Sequence, residues 1–235
     1  MAMRAIVRPK AREFIAQTWQ SQANLAFFLA LLVITVFVLP ALPVPRERIV
    51  AFGDIVYTFV VISGVAIAWG RKWLFTFAAI AAVPSLVMRW AAWARPEIAN
   101  PLLSDVFGLI AVVAITAVVL DQIFRAGRVN MMRVLGAVAA YLLLGIAYAF
   151  AYQIDWLLNP AAIQSSEGQL KLFLDWLYFS FCTLSTLGYG DIVPTSRLSR
   201  SLAAGEAITG QLFLAITIAR LVAMQVSAAE EARGR

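Results

Sequence analysis

Residues 182–194 read CTLSTLGYGDIVP and combine hydroxyl side chains, two glycines around a tyrosine, and a carboxylate. Glycine tolerates positive φ, so Gly188 and Gly190 allow successive backbone carbonyls to face one side of the chain. The pattern predicts a ladder of carbonyl oxygens from Thr186, Leu187, Gly188 and Tyr189. The Thr186 hydroxyl would add a further oxygen below it. Such a ladder suits a dehydrated cation, so the chemistry it suggests is ion coordination and not bond making.

A single chain supplies only one ladder of oxygens, which cannot surround an ion. Four chains around a fourfold axis, for example, would close square cages of carbonyl oxygens around a cation. Asp175 stands near the start of the short apolar segment before the loop, where a carboxylate suits the positive end of a helix dipole. The opposite, negative end of that helix would stabilise a cation near the membrane centre.

The composition of the chain indicates that most of it is surrounded by lipid and not by water. Of 235 residues, 62% are hydrophobic and 14% are charged, with a mean hydropathy of +0.83. Soluble domains are usually roughly a quarter charged. There is no histidine and one cysteine, Cys182, which excludes an intrachain disulfide and a Cys/His zinc site. No nucleophile–base pair appears either, so we expect neither an enzyme nor a cofactor beyond permeant ions.

Six apolar runs approach the length that crosses a membrane, which is about 20 helical residues. They lie at about 24–40, 49–69, 73–88, 103–124, 131–152 and 201–225. The third run is short and contains Pro84, so its ends are the hardest to place. The pattern predicts an all-α integral membrane protein with six transmembrane helices.

The segment between the fifth and sixth runs differs from the other connections. Its first part, QIDWLLNPAAIQSSEGQL from residue 153, is polar enough for a surface loop. Its second part, LFLDWLYFSFCTLS, is apolar but too short to span, which favours a re-entrant helix. Irregular backbone at membrane depth survives only where protein buries it or where it lines a water-filled path. The TLGYGD stretch that follows is therefore the candidate functional loop.

In a membrane protein, a net charge of +6 reflects the basic residues that set its orientation in the bilayer, and it does not indicate nucleic-acid binding. Basic residues cluster in the N-terminal tail, at Arg71 and Lys72, in the connection after the fourth run, and in the C-terminal tail. With six spans these all fall on one side, which predicts a multi-pass protein with both termini cytoplasmic. The basic segment 89–95 lies on the other side and is the weakest point of this bias. The Ala- and Arg-rich composition favours a bacterial inner (plasma) membrane.

The stretch TLGYGD resembles the selectivity-filter signature of potassium channels, which is usually written T-V-G-Y-G. The longer stretch DWLYFSFCTLSTLGYGDIVP is similar to their pore helix, filter and outer mouth, and the resemblance covers about residues 131–226. It implies a bacterial-type channel subunit with a re-entrant pore helix starting near Asp175. Residues 186–190, here called the filter loop, would bind K⁺ through Thr186, Leu187, Gly188 and Tyr189. Gly190 would complete the filter, and Asp191 would stand at its outer mouth.

The resemblance extends into the last apolar run. It implies a hinge at Gly210 and an inner cavity lined by Leu214, Ile218 and Val222, whose spacing of four places them on one helical face. Three positions depart from the family pattern: the change at Leu187 is expected to keep K⁺ preference but not necessarily the same conductance, and the other two leave filter stability and inactivation open. Leu187 replaces the commoner valine, and Cys182 stands where some members place a glutamate that pairs with the filter aspartate. Tyr178 and Phe179 stand where many members have a tryptophan pair.

We predict three parts of the chain. Residues 1–128 would form a cytoplasmic tail and a peripheral bundle of four helices, residues 129–226 the pore domain, and residues 227–235 a short cytoplasmic tail. The bundle occupies the position of a voltage sensor, whose fourth helix carries an arginine at every third position. The corresponding helix here has no basic residue before Arg125. A channel that is not conventionally voltage-gated is therefore expected.

Ionisable residues within the apolar runs require separate interpretation. Glu206 has three open roles: pairing with a neighbouring chain, pairing with the pore helix, or reaching the interface. Arg220 could snorkel to the interface or place a positive ring near the inner gate. Asp54, Asp105 and Asp121 lie near the ends of their runs, and we expect them at the interface.

The sequence thus predicts a K⁺-selective channel that conducts passively as a homotetramer in membrane lipid, without a nucleic-acid partner. The alternatives are a weakly selective cation channel of the same architecture, a secondary transporter, and a non-conducting sensor subunit. A transporter would show internal repeats and paired intramembrane carboxylates, neither of which is evident. The opening stimulus, the closed gate, rectification and the role of the first four helices stay open.

Overall fold

A computed structural model describes residues 23–67, 72–95, 97, 100–124, 131–166, 168 and 172–233. Within these residues, six helices are long and apolar enough to cross a membrane. They are α1 (Ala23–Ala41), α2 (Arg46–Ile67), α3 (Lys72–Ala94), α4 (Pro101–Phe124), α5 (Met131–Leu158) and α7 (Arg197–Arg233). A shorter apolar helix, α6 (Phe173–Leu184), lies between α5 and α7. The prediction of an all-α protein with six membrane-spanning helices is confirmed.

Several boundaries differ from the predicted ones. Helix α3 runs through Pro84 to Ala94 and so is longer than its apolar run, because a proline removes one backbone donor while the flanking apolar turns keep theirs. Helix α5 continues to Leu158, so the first residues of the predicted surface loop are helical. Helix α7 extends to Arg233, into the predicted tail, because the Ala- and Glu-rich sequence there has high helix propensity. The N-terminal tail and Arg125 lie outside the described residues.

The core of the chain is built around α4 and α5. Helix α4 packs along α5 and α3, and α6 packs on α5. Fully buried side chains from four helices meet there, including Phe28, Val61, Ile115, Leu143 and Phe150. In contrast, only 11% of the most apolar stretch of α7 is buried, against 56% of that of α5. The last helix therefore presents most of its apolar surface outside the chain's own core.

A short antiparallel ribbon joins the two ends of the segment that contains α6. Strand β1 (Ile163–Ser165) pairs with β2 (Ile192–Pro194), with Ile163 opposite Pro194 and Ser165 opposite Ile192. The sequence analysis did not predict this ribbon, because three-residue strands are too short to show an alternating pattern. The ribbon brings the chain that leaves the filter loop back to the chain that leaves α5.

Candidate ion-coordination loop and its supports

The backbone of the filter loop alternates in handedness. Thr186, Gly188 and Gly190 have φ of 59°, 60° and 81°, whereas Leu187 and Tyr189 between them do not have positive φ. In an ordinary strand, successive residues point to opposite faces. Alternating left- and right-handed residues instead turn successive carbonyls toward the same side. Positive φ was anticipated only at the glycines, and at Thr186 it is unusual because the residue is β-branched.

The start of the filter loop is attached to the end of α6. The backbone N–H groups of Leu187 and Gly188 both donate to the carbonyl of Cys182, at 2.8 and 3.3 Å. The N–H of Thr186 donates to the Thr183 carbonyl at 2.9 Å. These bonds use carbonyls that the end of a helix would otherwise leave without a partner. The Thr186 hydroxyl donates to the Ser185 carbonyl at 2.6 Å, and its oxygen keeps lone pairs that can coordinate a cation.

The outer end of the loop is held by a side chain of α6. The Tyr178 hydroxyl donates to Oδ2 of Asp191 at 2.7 Å. The rings of Tyr178 and Tyr189 lie nearly parallel, at 5°, with centroids 6.5 Å apart. The bond to Asp191 raises the pKa of the Tyr178 hydroxyl, because losing the proton would set two anions side by side. Tyr178 thus supplies a hydrogen-bond partner for the Asp191 carboxylate.

The chain that leaves the loop is fixed by the ribbon. The N–H of Ser166 donates to the Asp191 carbonyl at 2.8 Å, next to the paired strands. Beyond β2, the N–H groups of Thr195 and Ser196 both donate to the carbonyl of Ala162, at 2.8 and 3.1 Å. The loop is consequently anchored before Thr186 by α6 and after Asp191 by backbone bonds to the segment that follows α5.

A buried polar cluster lies behind α6. Glu206 of α7 accepts a 2.6 Å hydrogen bond from the Tyr152 hydroxyl of α5, and its other oxygen lies 2.5 Å from Oγ of Ser180 of α6. Ser180 also contacts the Gly145 carbonyl at 2.7 Å. The side chains of Tyr152, Ser180 and Glu206 are fully buried. Of the three roles left open for Glu206, the structure of the single chain shows pairing with the helix that precedes the filter loop.

The two ends of α6 have different supports. At its start, Asp175 accepts a 2.9 Å bond from the N–H of Leu172, and its carboxylate lies in the first turn, where the helix dipole favours negative charge. At its end, Leu184 packs against α7 at Gly210. A Cβ at Gly210 would collide with the Leu184 carbonyl. The absence of a side chain at Gly210 therefore permits the close crossing of α6 and α7. The predicted role of Gly210 as a hinge of α7 is a separate matter.

Other residues singled out on α7 face away from the chain's own core. Leu214, Ile218 and Val222 are all exposed in the single chain, as are Leu212 and Ile216 on the same helix. Arg220 donates to the carbonyl of Phe124 at 2.8 Å, at the end of α4. An arginine at this place satisfies a terminal carbonyl and complements the negative end of the helix. Arg220 thus links α7 to the peripheral bundle.

Two of the carboxylates expected at the membrane interface, Asp54 and Asp105, are buried within the chain. Asp54 accepts a 2.6 Å bond from Arg89 and a 2.7 Å bond from Trp93, both on α3. Burial of Asp54 is possible because α3 brings a guanidinium to it. This pairing also neutralises part of the positive charge in segment 89–95 that weakened the predicted orientation.

Comparison with known proteins matches the segment that contains the filter loop and the helices on either side of it. Residues 136–226 match a family model described as "Ion channel". The chain is 41% identical over 69 residues to two-pore potassium channel 4 of Arabidopsis thaliana, covering 29% of this chain and 24% of that protein. It is 58% identical over 31 residues to potassium channel K2 of Plasmodium berghei, covering 13% and 2%.

A third relative is bacterial. The chain is 32% identical over 87 residues to protein LctB of Bacillus caldotenax, covering 35% of this chain and 64% of that protein. The chain therefore spans less than two thirds of each of these relatives. No solved structure matches it significantly. The resemblance to the potassium-channel pore family is confirmed, and it rests on the part of the chain that runs from α5 to α7.

Proposed function

We propose, on the basis of the match of residues 136–226 to the ion-channel family model, that four copies of this chain assemble into a K⁺-selective channel. The channel would conduct passively, down the electrochemical gradient. The proposal rests mainly on the alternating φ of the filter loop, with left-handed residues at Thr186, Gly188 and Gly190. That backbone can present consecutive carbonyls to one axis, which no helix or strand can do.

The mechanism assigns a role to each part of the loop. A K⁺ ion entering the filter exchanges its hydration shell for oxygens of Thr186, Leu187, Gly188 and Tyr189, contributed by each of four chains. Neighbouring ions repel one another, and this repulsion assists exit from a site that binds tightly enough to select. The side chain of Leu187 takes no part in coordination, so its difference from valine is compatible with selectivity for K⁺.

Helix α6 adds an electrostatic contribution to conduction. Its end carries a partial negative charge, and the filter loop begins there, at carbonyls already engaged by Leu187 and Gly188. Its start is complemented by the Asp175 carboxylate. As a re-entrant helix, α6 would direct its negative end toward the membrane centre and stabilise an ion below the filter.

Tetramer formation is supported by what a single chain leaves uncovered. Leu187 and Tyr189 are 55% and 68% exposed, and most of α7 lies outside the core. In the tetramer these surfaces would face the central axis or a neighbouring chain. Leu214, Ile218 and Val222 would line the inner cavity, and Gly210 would be the point at which α7 bends to open it.

The membrane location follows from the helices and the charge bias. Six helices that can span place the protein in a membrane as a multi-pass protein. We assign it to the bacterial inner membrane with both termini cytoplasmic, so that the filter loop opens to the outside. Residues 1–128 would be the peripheral region, 129–226 the pore domain and 227–235 the tail. Described helix α4 has no basic residue, which supports gating by a stimulus other than voltage.

The experiment that tests this proposal is the reversal potential of the purified protein in a planar bilayer, with K⁺ on one side and Na⁺ on the other. A reversal near the K⁺ equilibrium limit is expected. A reversal near zero would assign a weakly selective cation channel instead. Substrate-coupled flux without single-channel events would favour a transporter, and an intact tetramer without flux under any stimulus would favour a sensor subunit.

A further inference from the structure

A cavity lies between the peripheral helices and the start of α6. Its volume is about 240 Å³. Its apolar wall comes from five helices or their ends and includes Leu39, Val50, Val60, Val112, Ile146 and Phe173. A second cavity, of about 400 Å³ and more open, adjoins it and shares Asp54, Arg89 and Gln153 with it. None of these residues belongs to the filter loop.

The polar residues that line both cavities are partly paired with one another. Arg89 donates to Asp54 at 2.6 Å, and its guanidinium lies 4.4 Å from the centre of the Tyr57 ring. Trp93 donates to the other oxygen of Asp54 at 2.7 Å. Asp54 thus has its partners within the chain.

The rest of the polar wall is not paired. Three buried side-chain atoms at these cavities have no hydrogen-bond partner: Oδ2 of Asp105, Oε1 of Gln153 and Nε of Arg89. Asp105 is only 4% exposed. Leaving buried polar atoms without partners is costly, and native structures hold few of them. All three atoms belong to residues that line these two cavities, so a molecule bound there could satisfy the two acceptors among them.

The charges indicate what that partner carries. When both carboxylates are ionised, Asp54 and Asp105 carry two negative charges against one positive charge on Arg89, so one negative charge is left for a bound cation to compensate. Two of the three unpartnered atoms are acceptors. No group of three His, Cys, Asp or Glu side chains with metal-binding geometry occurs in the described residues. An organic cation with several N–H donors therefore fits better than a metal ion.

We propose that this site binds a primary ammonium ion that carries a compact apolar group. The ammonium donates to Asp105 Oδ2 and Gln153 Oε1, and the apolar group occupies the cavity lined by the aliphatic side chains. The volume is suitable, because a cavity of about 150 Å³ holds a benzene molecule. A ligand seated here would touch Phe173 and Leu177 of α6, and so would contact the helix that carries the filter loop.

The test is calorimetric titration of the purified full-length protein in micelles with 2-phenylethylamine at neutral pH, where the amine is protonated. We expect saturable binding of one molecule per chain. The uncharged analogue 2-phenylethanol should bind at least about tenfold more weakly, because it lacks the charge-assisted hydrogen bonds. This comparison uses the unaltered protein, so it does not depend on any variant folding.

Variants locate the site. Asp105→Asn and Gln153→Leu should each weaken binding of 2-phenylethylamine at least about tenfold. Glu47→Gln alters an exposed carboxylate at the start of α2 and should leave binding unchanged. Equal binding of the amine and the alcohol, heat that does not saturate, or unchanged binding in Asp105→Asn would each overturn the proposal.

The same ammonium group occurs in the headgroup of phosphatidylethanolamine. Titration in nanodiscs separates the two sources. If nanodiscs of phosphatidylethanolamine suppress binding of the amine relative to nanodiscs of phosphatidylcholine, the occupant is a lipid headgroup. Equal binding in both would identify a free amine. Either result supports the site, and both readouts are independent of whether the protein conducts K⁺.

Discussion

The Tyr178 hydroxyl donates to the Asp191 carboxylate at 2.7 Å, across the outer end of the filter loop. The two residues belong to different elements, since Tyr178 lies on α6 and Asp191 follows the loop. The bond therefore sets the spacing between α6 and the residue that follows the filter loop. The nearly parallel rings of Tyr178 and Tyr189 lie beside it.

Removing this hydroxyl should destabilise the conducting state. In Tyr178→Phe the ring beside Tyr189 is kept and the bond to Asp191 is lost. We expect shorter open times with unchanged K⁺ selectivity, because the carbonyl ladder itself is not altered. Single-channel recording would show this, and open times equal to those of the unaltered protein would argue against a role for the bond. The bond to Asp191 raises the pKa of the Tyr178 hydroxyl above its usual value of 10.0. The hydroxyl should therefore stay protonated and keep donating this bond at pH 10.

Substitution of the filter glycines should abolish conduction. A Cβ at Gly188 or Gly190 meets no atom within 4 Å in the chain, but both residues have positive φ. The cost of alanine is therefore a backbone cost, of about 1–2 kcal/mol per residue. We expect no K⁺ current from Gly188→Ala or Gly190→Ala, with normal membrane insertion.

The matched control for the filter glycines is Gly53→Ala. Its Cβ also meets no atom within 4 Å, but Gly53 lies in α2 without positive φ. This variant should conduct normally. Normal K⁺ currents from either filter variant would contradict the assignment of the filter.

The cluster behind α6 should be sensitive to the chemistry of residue 206. In Glu206→Leu the Tyr152 hydroxyl is buried without its acceptor, and Ser180 loses one of its two contacts. Each unsatisfied group costs about 1–3 kcal/mol, so we expect lower thermal stability. Glu206→Gln keeps an oxygen that can accept from Tyr152, and it should lose less. Equal melting temperatures for the two variants would show that the cluster does not support α6.

Gly210→Ala should destabilise the crossing of α6 and α7, because it places a Cβ against the Leu184 carbonyl oxygen. We expect a lower melting temperature, measured by thermal unfolding in detergent. A melting temperature equal to that of the unaltered protein would contradict this role in packing. The control is Gly205→Ala on the same helix, where the Cβ would meet only the Tyr148 hydroxyl at 3.9 Å.

Local patterns in the sequence were sufficient for much of this architecture. The spans and the short helix before the filter loop follow from runs of apolar residues, and positive φ at Gly188 and Gly190 follows from the lack of a Cβ. What the sequence did not reveal depends on pairs that are distant along the chain. Glu206 meets Ser180 and Tyr152 across 26 and 54 residues. Asp54 meets Arg89 across 35 residues, which is why its burial was missed.

The left-handed Thr186 had no sequence signal either, because a β-branched residue is a poor candidate for positive φ. It is explained by the bonds that attach the loop to the end of α6. Likewise, the ribbon of β1 and β2 depends on strands too short to be recognised before the chain is folded.

The uncovered state of the filter loop has a consequence for how the protein is made. In a newly inserted single chain, residues 185–190 are exposed, and unpaired carbonyls in hydrocarbon cost several kcal/mol each. A single chain would therefore be unstable in the bilayer for long periods. We expect chains to associate soon after they leave the insertion machinery, and unassembled copies to be natural targets for membrane quality-control proteases.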